Sequence, residues 1–107
     1  MATSREFVDF VLDQCDGLPV RTRPMMGEYL LYYRDKLAAS LCDNRMMVKD
    51  LPAARKCMPG AVLETPYPGA KEMLVVEHLE DRAFLAELLE AIYPELPMPK
   101  SKRGRKT

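Results

Sequence analysis

Residues 28–49 constrain the fold of this 107-residue chain more than any other stretch. They hold three short runs suited to strands: Tyr29-Leu30-Leu31-Tyr32-Tyr33, Leu37 to Cys42, and Met46-Met47-Val48. The first run is too apolar for a strand that faces only solvent. Arg34-Asp35-Lys36 and Asp43-Asn44 interrupt the series, and an Asp-Asn pair tolerates the positive φ of a tight turn. Short runs with two- or three-residue breaks predict an antiparallel meander. Val20 to Arg23 adds a short strand ahead of Pro24.

The flanking segments change period. Across 4–16, Phe7, Val8, Val11, Leu12 and Cys15 recur at helical spacing, and Thr3 with Glu6 forms a Thr-x-x-Glu capping box. Asp50 is placed to cap a short helix, Ala53 to Cys57, with Pro52 near its first position. A second strand pair is expected at Ala61 to Glu64 and Met73 to Glu77. Between them Tyr67-Pro68-Gly69-Ala70 carries the type II turn pattern, Pro then Gly. Over 80–93, Phe84, Leu85, Leu88, Leu89 and Ile92 share one helical face, and Pro94 ends the pattern. The order predicts an α+β domain over residues 1–96, with N-terminal, short middle and C-terminal helices packed on one face of an antiparallel sheet made of a meander plus a hairpin.

Charge is segregated. Residues 100–107 read K-S-K-R-G-R-K-T, with Lys100, Lys102, Arg103, Arg105 and Lys106 and no acid. Residues 1–99 carry the other 11 cations and all 16 acids, a formal charge of −5. The basic tail, 97–107, is expected to be disordered, because it cannot bury apolar area. It can contact nucleic acid non-specifically, at up to about five phosphates, or act only as a solubilising terminus. No apolar run approaches the roughly 20 residues of a membrane span, and acids interrupt the apolar N-terminal segment, so neither a span nor a secretory signal is expected. A cytoplasmic protein is.

The residues offer little for catalysis. There is no Gly-rich phosphate loop, no Gly-x-Ser-x-Gly and no His-Glu-x-x-His. Cys15, Cys42 and Cys57 are too far apart for a Cys-x-x-Cys site, and His78 is the only histidine. No cofactor or metal site is expected, and the cysteines read as small hydrophobes. The doublets Met25-Met26 and Met46-Met47 are expected to split, one Met facing the core and one facing solvent, as alternation along a strand dictates. An outward Met46 or Met47 beside Tyr29, Tyr32 or Tyr33 would make an apolar interaction patch.

Three segments resemble a known family. Arg23-Pro-Met-Met-Gly-Glu-Tyr-Leu-Leu-Tyr32 is similar to the R-x-M-F-G-x-Y-G-L-Y signature of the TfoX/Sxy family, in its N-terminal domain. Asp43 to Lys49 resembles that family's D-D-x-L-Y-L-K strand, and Pro66 to Lys71 its P-Y-P-G-A-K loop in small single-domain members. The motif positions are Arg23, Met25, Gly27, Tyr29, Tyr32, Asp43, Lys49, Tyr67, Pro68, Gly69 and Lys71. Met26 stands for the family Phe, Leu30 for Gly, and Arg34-Asp35 for the usual Asp-Gly turn. The resemblance implies a YgaC/TfoX-N-like α+β fold and no catalytic residues. It also implies a role among transcriptional co-activators of competence genes that act with the cyclic-AMP receptor protein.

The expectation is therefore a non-enzymatic protein-interaction module, monomeric or homodimeric, in a transcription-associated role. The alternatives are nucleic-acid binding through the tail, or a small-molecule pocket between sheet and helices near Tyr67 and His78.

Overall fold

The computed structural model describes residues 3–66 and 68–97. Helix α1 (Arg5–Gln14) leads into a four-strand meander: β1 (Val20–Met25), β2 (Glu28–Tyr33), β3 (Lys36–Cys42) and β4 (Arg45–Val48). Helix α2 (Pro52–Cys57), strands β5 (Leu63–Glu64) and β6 (Met73–Val76), and helix α3 (Arg82–Ile92) follow, and a 3₁₀ turn closes at Tyr93–Glu95. The strands form one six-stranded antiparallel sheet in the order β1-β2-β3-β4-β6-β5. The α+β architecture agrees with the sequence pattern, and β1 runs two residues further than its apolar content indicates. Pro24 is accommodated because β1 is an edge strand, where a missing N–H costs no ladder bond. Among the described residues, no helix is long and apolar enough to cross a membrane.

Two-residue turns set the register. Asp43 and Asn44 sit at φ 53° and 56°, and Met26 and Gly27 at φ 53° and 85°, the positive values a type I′ turn requires at both central positions. Arg34 takes φ 59° in the β2–β3 turn, the conformation for which a Gly is better suited.

One face of the sheet carries the main core. Val8 and Val11 of α1, and Leu85, Leu88, Leu89 and Ile92 of α3, are fully buried against Leu31, Leu41, Met46, Val48 and Leu74. Each such side chain contributes about 1.5–3 kcal/mol relative to exposure. A β-bulge between β2 and β3 inserts Ala38: Leu31 faces Ala39, but Tyr32 faces Leu37. The shift turns Lys36 toward the helices. It is 8% exposed, donates from Nζ to the Tyr93 carbonyl at 3.1 Å, and lies 4.4 Å from that ring's centre. A cation at the C-terminal end of α3 suits the helix dipole.

The caps differ from the sequence expectation. Ser4, not Thr3, caps α1 by accepting from the Phe7 N–H at 3.1 Å. Thr3 is buried and clips two turns: its Oγ1 donates to the Leu41 carbonyl at 2.8 Å, and its N–H donates to Gly27 O at 3.0 Å. Leu51 occupies the N-cap of α2, and Asp50 instead pairs with Arg55. The Glu95 carboxylate accepts the Ala53 N–H of α2 from outside the helix at 3.0 Å. Asp81 caps α3, accepting from Phe84 N–H.

Neither methionine doublet splits. Met46 and Met47 are both fully buried, whereas Met25 is 42% and Met26 94% exposed. Met46 joins the helix-side core. Met47 lies on the opposite face between Ser40 and Val75, where Arg45 reaches across β6 to pair with Glu64 of β5. Both faces of β4 are therefore covered. Met25 and Met26 sit at an edge-strand tip that no other element covers among the described residues.

Candidate functional site

Strand alternation sends Leu30, Ser40, Cys42, Met47 and Met73 to the face away from the helices. A cleft of about 670 Å³ lies on that face, within the range of small-molecule and peptide sites. Its floor is the run of small residues Ala38, Ala39 and Ser40 of β3. Met25 and Leu30 wall it on the β1–β2 side. Pro66, Ala70 and Lys71, in the loop that joins β5 to β6, wall the other side.

The two ends differ in charge. Glu28 and Cys42 line one end, at the β3–β4 turn. Lys49, Asp50 and Leu51 line the other, where β4 leaves the sheet. Val48 pairs with Leu74, so Lys49 and Met73 lie beside each other and Lys71 follows along the same end. Burial, and then the Glu28 carboxylate hydrogen-bonded to it, push the Cys42 thiol up to about 12. The hydrogen bond from Arg55 holds the Asp50 carboxyl below its usual range, with Nε and an NH₂ group at 2.5 and 2.8 Å from the two oxygens. Among the described residues, Lys49 and Lys71 form no ion pair.

A protonated thiol is not a nucleophile. The Ser40 hydroxyl makes no hydrogen bond to a base among the described residues, and an unassisted hydroxyl is a weak nucleophile. Among those residues, no group of three or more His, Cys, Asp and Glu side chains is placed to hold a metal ion. The arrangement is an apolar trough with polar ends, suited to binding.

The family-like motifs meet here in part. Met25, Lys49 and Lys71 line the cleft. Pro68 and Gly69 lie in the covering loop, Gly69 at φ 87° as the second central residue of a type II turn requires. Gly27 shapes the turn beside Met25. Arg23 is exposed on β1, directly opposite Leu30. Tyr32 shares the cleft face but stacks with Arg21, whose guanidinium lies 4.4 Å from the ring centre. Tyr29 packs on the helix side and Asp43 forms the β3–β4 turn, so neither reaches the cleft. Tyr67 and the tail cations Lys100, Lys102, Arg103, Arg105 and Lys106 lie outside the described residues.

The space between sheet and helices is filled by the core, so the cavity lies on the face opposite to the one expected. His78 is exposed, stacked edge-on against Phe84 at 6.1 Å, beside a separate depression of about 200 Å³. Sequence reasoning missed Glu28, Ser40 and Cys42 as site residues. The available signal was slight: Ser40, a small polar residue inside an otherwise apolar strand run, on the sheet face opposite Ala39.

No family model matches the chain. No solved structure matches it. It is 36% identical over 107 residues to an uncharacterized 12.7 kDa protein in the trpE 5′ region of Spirochaeta aurantia, an alignment that takes in 98% of this chain and 93% of that protein. Likeness of that degree over nearly the whole of both chains means that this chain belongs to the same family as the Spirochaeta protein.

Proposed function

We propose that the protein is a non-enzymatic interaction module that takes a segment of a partner protein into the cleft under the β5–β6 loop. The observation that carries this reading is Met26. It holds a left-handed φ of 53° and is 94% exposed, next to Met25 on the cleft wall. A long apolar side chain in that conformation is strained by about 1–2 kcal/mol, and its exposure gains nothing in the free protein. Backbone strain with an exposed hydrophobe beside a preformed trough is the pattern of a recognition element. The resemblance to TfoX-type regulators directs the search to transcription-associated partners.

Affinity capture with the full chain tests this, comparing the native protein with Met26→Asn. A partner retained by the native chain and depleted at least fivefold by the variant supports the reading. Equal recovery of every bound protein by both forms overturns it.

A second reading rests on the five cations and absent acids of residues 100–107. It predicts DNA retention that falls steeply with salt and is lost on truncation after Pro99. Equal retention by both forms would exclude it.

A further inference from the structure

We propose that the segment seated in the cleft is an apolar peptide with acidic residues at one end, its acidic end lying at Lys49 and Lys71; this deepens, and rests on, the protein-binding reading above. Charge carries the argument. Lys49 and Lys71 are exposed at the same end of the trough and form no ion pair among the described residues. Arg23, opposite Leu30 on β1, is exposed and forms no ion pair among the described residues, but it does not line the cleft. Of the three acids that line the cleft, one is paired. Arg55 binds both oxygens of Asp50. Glu28 lies at the far end and forms no ion pair among the described residues. Glu72, next to Lys71, is likewise without an ion pair among the described residues.

The lining is therefore polarised, with two unpaired lysines and Glu72 at one end and Glu28 at the other, above an apolar floor. A basic segment entering this end meets like charge. An apolar segment ending in carboxylates gains both terms: apolar area is removed from water along Leu30 and Met73, and two ammonium groups gain partners. Exposed pairs of this kind are modest and screened by salt, so they set preference more than strength.

The test is an amide-resolved NMR titration of the full chain with two synthetic peptides. One is a short Leu/Met sequence ending in two aspartates, and its twin ends in two lysines. The proposal expects shifts at Ala38–Ser40 with tighter binding of the acidic peptide. Lys49→Gln and Lys71→Gln each weaken that binding about threefold, and high salt removes the preference. Both lysines are exposed, so their replacement leaves folding intact. Equal binding of the twins overturns the charge assignment while leaving the protein-binding reading standing. Absence of shifts with either peptide overturns the proposal, and the Met26 capture then judges the reading separately. Tighter binding of decanoate than of the peptide reassigns the cleft to a small amphipathic acid. Concentration-dependent shifts without any ligand reassign it to a second copy.

Discussion

Tyr33 donates a 2.5 Å hydrogen bond to Oε1 of Glu90, joining the β2–β3 hairpin to α3 across 57 residues of chain. Arg34 reaches the same oxygen at 3.0 Å, and its guanidinium lies 5.1 Å from the centres of both the Tyr33 and Tyr93 rings. The Tyr33 ring is buried and meets Tyr93 edge-on at 5.9 Å. This cluster stacks the left-handed turn at Arg34 on the helix end, which is how a turn without Gly is held. Tyr33→Phe keeps the ring and removes the hydrogen bond. The expected loss is about 1 kcal/mol in urea unfolding, with an unchanged m-value. No loss of midpoint would show that water replaces the phenol without penalty.

Alkaline pH is the second prediction. Burial and the Glu28 carboxylate raise the Cys42 thiol from 9.0 to about 12, and the hydrogen bond to Glu90 raises Tyr33 above its ordinary value. A group whose folded pKa is raised keeps its proton in the native state after the unfolded chain has lost it. Its stabilisation is complete below the unfolded pKa and declines as pH climbs toward the folded value. Stability is therefore expected to fall from about pH 9 toward 12. In Cys42→Ser, which retains a donor for Glu28 without titrating there, the fall is shallower, and Tyr33 supplies part of what remains. Urea midpoints taken across this range, identical in slope for both chains, would contradict the assignment.

Thr3 supports a third. Its hydroxyl donates to Leu41 O at 2.8 Å and accepts from Asn44 N–H at 3.4 Å, so one side chain fastens the N-terminus to the β3–β4 turn. Thr3→Val preserves shape and leaves the Leu41 carbonyl without that donor. A buried acceptor stripped of its partner costs about 1–3 kcal/mol. Hydrogen exchange is expected to quicken at Asn44 and at the adjoining strand ends, with α3 unaffected at the local level. Uniform protection in both chains would mean that the turn stands without the clip.

The strands and helices were legible because local chemistry decides them. Asp43-Asn44 adopts positive φ as its side chains allow, and the Leu85–Ile92 stripe buries as its spacing requires. What could not be read depends on contacts between distant segments. Thr3 caps nothing because Leu41 and Asn44, about forty residues on, offer its hydroxyl a buried partnership. Met47 fails to face solvent because Arg45 spans to Glu64 over the same sheet face. The cleft itself is formed between β3 and the loop after β5, segments far apart in the chain. Motif resemblance marked Met25, Lys49 and Lys71 without indicating that they line one cleft. Periodicity alone treated Ala38-Ala39-Ser40 as one more apolar strand.

Met26 yields the last prediction, in which stability and recognition move in opposite directions. Asn in place of Met at the first position of a type I′ turn, followed by Gly27, matches the residue pair that this turn favours most. Met26→Asn is expected to raise stability by about 0.5–1 kcal/mol, since it relieves the penalty at φ 53° and removes an exposed hydrophobe. If Met26 anchors a partner, burying it there is worth about 1.5–3 kcal/mol, so the same variant binds roughly tenfold or more weakly. A merely structural methionine would show the stability gain alone. Paired measurements on one preparation, a thermal midpoint and a partner-capture isotherm, separate the two. A higher midpoint with unchanged capture would return Met26 to the status of a poorly chosen turn residue, and the cleft would then need an anchor elsewhere on its rim.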